Sequence, residues 1–190
     1  MKNFKKKHSV KIPENIKVLY CDEKNLITFI GPLSTKSLNL KTKLLLVPSS
    51  NLIIVTYPFD SKPTTSSKNN KKIRGTTTAK IRQILVEIIY VLSCKLNLVG
   101  VGYRVFPNEK LPNQIYLKLG YSHLVYFKIP TELNTNCLKF TKLFISNNNS
   151  YNSLTQTTAQ IRNCKLPEPY KGKGILHDQE TILLKKGKKI

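Results

Sequence analysis

The chain has 190 residues, and Lys+Arg 32 against Asp+Glu 10 gives it a formal net charge of +22. A free globule with that excess repels itself, so the composition calls for a polyanion, with nucleic acid first and an anionic membrane surface second. Hydrophobic residues make up 40% of the chain, too many for a disordered basic tail, and no apolar run approaches the roughly 20 residues of a membrane span.

Arginine occurs only at Arg74, Arg82, Arg104 and Arg162, so lysine carries nearly all the charge. An ammonium group is a point charge suited to phosphates, whereas guanidinium forks suit base edges. Contact with backbone and shape is therefore expected, not sequence reading. Lys, Asn, Ile and Leu are abundant, Ala stands only at positions 79 and 159, and Trp is missing. That bias is the mark of an AT-rich gene. The folded pattern starts at Val10, which leaves little room for a targeting segment after Met1. Synthesis inside a mitochondrion fits both features, with a plastid or the cytoplasm of an AT-rich bacterium as the alternative.

From Ile16 to Tyr57 short apolar stretches alternate with turns. Ile16, Val18 and Tyr20 form one strand, Leu26 to Ile30 follows the Asp22–Asn25 turn, and Leu44 to Val47 and Leu52 to Tyr57 complete a meander. Residues 60–75 are rich in Ser, Thr, Lys and Asn and read as an expanded, solvated loop. Thr76 to Thr78 then offer N-cap hydroxyls to a helix whose stripe is Ile81, Ile84, Leu85, Ile88, Ile89 and Leu92. Such a stripe is a core face, because Lys and Arg do not line the opposite side as a membrane helix would require.

The second half repeats the plan. Val99, Val101, Tyr103 and Val105 alternate, Asn108 and Pro112 bracket a turn, Ile115, Leu117 and Leu119 follow, then Val125, Phe127 and Ile129, and then a strand over Leu138 to Ile145. Polar residues from Asn147 to Asn152 lead into a helix through Leu154, Thr158 and Ile161, which Pro167 and Pro169 terminate. Strands followed by a helix thus occur twice. The expected fold is α+β, with two similar domains, each a small antiparallel sheet with one packed helix, plus a basic C-terminal extension. The domains are expected at 1–94 and 95–190, joined near Ser93 to Asn97, with the extension starting at about 167.

Chemistry-bearing constellations do not emerge. Cys21, Cys94, Cys137 and Cys164 form no CxxC pair, and His8, His123 and His177 have no metal-ligand spacing. Gly172-Lys173-Gly174 lacks the Ser or Thr of a phosphate-binding loop, and Gly100-x-Gly102 lacks the third glycine of a dinucleotide fingerprint. No enzyme, cofactor, metal or small-molecule substrate is expected. A basic membrane-surface or protein-interaction module would need an amphipathic helix with Lys on one face, and a free nucleic-acid-binding regulator would bind isolated RNA or duplex DNA.

The segment Leu166-Pro-Glu-Pro-Tyr-Lys-Gly-Lys-Gly-Ile175 resembles the C-terminal signature of the large-subunit ribosomal protein six family. Gly100-Val-Gly-Tyr-Arg104, Leu117-Lys-Leu-Gly-Tyr-Ser-His123 and Ile129-Pro130 agree, and Val10-Lys-Ile-Pro13 and Gly31-Pro32 match more loosely. The chain departs from that family at Leu33-Ser34, where Lys-Gly is usual, and at Leu176-His177, where Arg and Tyr are frequent. The resemblance implies two similar α+β domains and a place on the large ribosomal subunit near the factor-binding region and the sarcin-ricin loop. The implied partners are large-subunit rRNA and neighbouring ribosomal proteins, with translation factors nearby. The implied rRNA contacts are Tyr170, Lys171, Gly172, Lys173 and Gly174, with Arg104 and His123. The tail lysines Lys185, Lys186, Lys188 and Lys189 are candidates on charge, and the glycines should let backbone amides approach a phosphate.

Overall fold

The structure is a computed structural model that describes residues 8–58, 68–108, 111, 113–147 and 150–187. The chain divides into two units, Met1–Tyr90 and Val91–Ile190.

In the first unit, β1 (Ser9–Lys11), β6 (Leu52–Pro58) and β5 (Thr42–Val47) form one antiparallel sheet, and β2 (Lys17–Cys21), β3 (Leu26–Ile30) and β4 (Thr35–Asn39) form another. The expected sheet is therefore split in two. The β2–β3 turn closes at Asn25, whose φ of 51° suits asparagine in the left-handed region. Helix α1 (Lys68–Ile89) lays Ile81, Leu85 and Ile88 on the core residues Ile27, Phe29, Ile53 and Val55.

Several expectations change here. Lys68–Gly75 belongs to α1, so only 60–67 of the expected loop falls outside the described residues. Thr76–Thr78 are mid-helix, and their hydroxyls donate back to the carbonyls of Ile73 and Arg74 instead of capping an N-terminus. Arg74 anchors this polar part by donating from Nε and Nη2 to the Val55 carbonyl. Tertiary bonding thus holds as helix a stretch whose composition favours a loop. Strand β4 escapes a hydropathy reading because Lys36 stands at one of its partly buried positions, where it pairs with the buried Glu87 of α1.

In the second unit, β7 (Leu92–Val99) lies between β12 (Lys142–Asn147) and β13 (Gly174–His177), with β11 (Leu133–Lys139) outside β12. Leu92 is a strand residue, not the end of the helical stripe, and Ser93 to Asn97 is strand and not a joint. The expected 138–145 strand is two strands that meet at the Phe140-Thr141 turn. A second sheet runs β8 (Arg104–Pro107), β9 (Gln114–Lys118), β10 (Val125–Lys128). The expected Val99–Val105 strand breaks at residues 100–103, where Gly102 has φ 74° and Val101 is exposed. Part of the Asn108–Pro112 turn lies outside the described residues.

Helix α2 (Tyr151–Asn163) begins at the N-cap Ser150, whose hydroxyl accepts from the Ser153 amide at 3.3 Å. It packs Leu154 and Ile161 on the sheet core of Leu96, Leu98, Leu143, Ile145 and Ile175. The last of these belongs to β13, so the expected basic extension from 167 includes a core strand. Burial raises the thiols of Cys94, Cys137 and Cys164 above the ordinary cysteine value, which suits packing and not nucleophilic chemistry.

Candidate nucleic-acid interface

Between α2 and β13 the chain makes a closed loop. The Ile175 amide donates to the Lys165 carbonyl at 3.0 Å, the Glu168 amide to Lys173 at 2.9 Å, and the Gly172 amide to Glu168 at 2.9 Å. These bonds fix the backbone with Tyr170 and Lys171 exposed at the tip and Lys173 half-buried on the returning limb.

The glycines also have a cause within the fold itself. Gly172 takes φ 67°, which an L side chain rarely adopts, and a β-carbon on Gly174 would stand 2.5 Å from the Cα of Pro167. Both positions are set by the chain's own fold before any phosphate arrives. The loop therefore presents its cationic tip on a hydrogen-bonded backbone.

The tail returns over this loop. The Lys185 amide donates to the Pro169 carbonyl at 2.9 Å, which brings the exposed Lys185 and Lys186 beside the tip. Upstream, Arg162 at the end of α2 holds Glu180 through Nε at 2.9 Å and through a second contact from Nη2. That pairing lowers the Glu180 carboxyl and raises the Arg162 guanidinium relative to their ordinary values. Lys188 and Lys189 lie outside the described residues.

A second wall comes from the β9–β10 connection. The Tyr121 hydroxyl donates to the Cys164 carbonyl at 3.2 Å, Lys165 Nζ stands 4.2 Å from the Tyr121 ring centre, and His123 stacks on the same ring at 5.5 Å and 11°. A depression of about 480 Å³ opens here, lined among others by Tyr103, Tyr121, Lys165, Glu168 and Lys173.

The structure thus brings His123 near the Lys165–Ile175 loop through Tyr121. Arg104 does not line that depression. It stands on the outer face of β8 with its guanidinium carbon 5.9 Å from the Phe140 ring centre. Lys165 and Tyr121 were not singled out from the sequence, although both lie in or beside the quoted motifs. Leu176 and His177, which depart from the family pattern, are β13 residues, and His177 Nδ1 is 3.5 Å from Cys94 Sγ.

Fold and face together define a two-unit α+β protein with a cationic loop and an aromatic flank. A family model described as Ribosomal protein L6 matches residues 99–178. The protein named large ribosomal subunit protein uL6 of Malacoplasma penetrans (strain HF-2) is 36% identical over 87% of this chain and 86% of its own length. Its namesake from Paramagnetospirillum magneticum (strain ATCC 700264 / AMB-1) is 33% identical over 96% of this chain and 97% of its own. The chain belongs to the ribosomal protein L6 family, also named uL6.

Proposed function

We propose that this protein is a structural constituent of the large ribosomal subunit that binds large-subunit rRNA and supports subunit assembly and translation. The observation that carries this reading is the closed Lys165–Ile175 loop, with Tyr170 and Lys171 at its tip and the Lys185 amide tied back to Pro169. Lys171, Lys173, Lys185 and Lys186 meet phosphates, and Tyr170 stacks on a base or sugar. Gly172 and Gly174 act by shaping the loop, and His123 acts from the Tyr121 side.

The further reading, carried by family membership, puts this face near the sarcin-ricin loop and the factor-binding region, beside neighbouring ribosomal proteins and within reach of translation factors. The domains expected at 1–94 and 95–190 correspond to the units Met1–Tyr90 and Val91–Ile190, so that β7 stays whole, and the second holds the RNA surface. For location, residue bias supports a mitochondrial ribosome. The mostly bacterial sources of the relatives favour the alternative, the cytoplasm of an AT-rich bacterium.

The test is incorporation into large subunits measured by quantitative mass spectrometry. Lys171→Ala with Lys173→Ala should reduce incorporation more than Lys71→Ala with Lys72→Ala, which removes the same charge from α1. Equal losses would count against the assigned loop. On an RNA fragment, each phosphate contact removed should flatten the slope of log affinity against log salt by about 0.7 to 0.9.

A further inference from the structure

The outer face of the β8–β9–β10 sheet carries a second arrangement of rings and cations. Strand alternation sends Val105, Ile115 and Leu117 into the core and their neighbours to the other side. There the register aligns Phe106 with Tyr116 and Tyr116 with Tyr126, one aromatic per strand in a single row. Phe106 and Tyr116 stack with ring centres 5.0 Å apart, and Tyr126 follows 6.3 Å from Tyr116. Phe140, from the β11–β12 turn, extends the row 5.2 Å beyond Phe106.

Cross-strand pairing stabilises a sheet by itself and accounts for Phe106 with Tyr116. It leaves the two ends unexplained, since Tyr126 is 60% exposed and Phe140 59% exposed. Each strand also places a cation two residues from its aromatic on the same face: Arg104 beside Phe106, Lys118 beside Tyr116 and Lys128 beside Tyr126. Arg104 and Lys118 are directly opposite each other. These three strands contain no carboxylate, and none of the three cations makes an ion pair among the described residues.

An apolar protein surface would bury those cations without compensation, and an acidic peptide would leave the ring faces unused. Duplex RNA hides the faces of its bases. Unpaired nucleotides supply a π-face and a phosphate at each step, so they satisfy both halves of the pattern.

We propose that this sheet face is a stacking platform for unpaired RNA nucleotides, with bases on Tyr126 and Phe140 and phosphates on Arg104, Lys118 and Lys128. It is separate from the Lys165–Ile175 loop and stands whether or not that loop holds RNA.

The full-length protein is titrated with a labelled ten-nucleotide single-stranded RNA and with the same sequence as a duplex. Tyr126→Leu with Phe140→Leu keeps apolar bulk and removes the rings. It should weaken single-strand binding at least about fivefold while leaving duplex binding within about twofold. Tyr126→Phe should retain wild-type binding, and the ring-dependent loss should persist in the Lys171→Ala, Lys173→Ala background. In large subunits from the source cells, ultraviolet crosslinking should attach a nucleotide to the peptides holding Tyr126 or Phe140. Unchanged single-strand affinity in the double leucine variant, equal loss for both RNA forms, or crosslinks from these peptides to a protein alone would each overturn the platform.

Discussion

Gly31 and Ile88 share one space: a β-carbon added to Gly31 would stand 1.9 Å from Ile88 Cγ2. The contact holds α1 against the turn after β3, where the Leu33 amide donates to the Ile88 carbonyl at 3.3 Å. Glycine is needed for close approach and not for backbone freedom.

Gly31→Ala should therefore lower the stability of the first unit by about 1–3 kcal/mol through overpacking. Ile88→Asp, at a side chain fully removed from solvent, should cost on the order of 3–5 kcal/mol by burying a charge. Chemical denaturation of the full-length variants checks both, and an unchanged midpoint for Ile88→Asp would remove the helix from the core.

Lys36 and Glu87 join β4 to α1, and Gln83 Nε2 also donates to Glu87 at 2.8 Å. Removing the cation from a carboxylate that is 4% exposed should cost on the order of 3 kcal/mol. Lys36→Ala should thus be less stable than Lys36→Met combined with Glu87→Leu, which removes both charges and keeps volume. Thermal melts that rank the pair the other way would contradict this account.

Glu180 responds to pH because its folded carboxyl lies below its ordinary value, mainly through the Arg162 hydrogen bond. Its contribution is complete above the unfolded glutamate value of about 4.3 and disappears as pH falls through the lowered folded value. The pair is partly exposed, so at most about 1 kcal/mol is at stake. The protection factors of the amides of 181–187, which correct for the intrinsic slowing of exchange in acid, should fall on acidification in the wild type. Glu180→Gln should show the lower protection already at neutral pH.

Gly174→Ala tests whether loop shape matters apart from charge. The new methyl group collides with the Pro167 backbone, so incorporation into large subunits should fall although no cation is lost. On an RNA fragment the affinity should drop with the salt slope nearly unchanged, because the lysines remain but their positions shift.

Residues that announce themselves by apolar spacing were readable in the chain: Ile81, Leu85 and Ile88 of α1, and the whole of β3. Where a polar side chain does the packing, the pattern failed. Lys36 concealed β4, and the Lys68–Gly75 turns of α1 depend on the distant Val55 carbonyl. The cationic loop was legible as a motif, but its mechanics were not. Gly172 and Gly174 read as provisions for phosphate approach, while the left-handed turn and the close pass by Pro167 depend on contacts that spacing does not reveal. Lys165 and Tyr121 meet through a fold contact between residues distant in sequence, which spacing cannot reveal.

Strand β13 pairs with β7, although some seventy residues of chain intervene between Val99 and Gly174. During synthesis β7 therefore waits with one edge open until nearly the whole second unit has emerged. The Lys165–Ile175 loop, held at its base by that same late pairing, takes its shape only then. A nascent chain cut short before β13 would carry most of the lysines yet present no ordered grip, so the timing of translation itself separates finished copies from fragments.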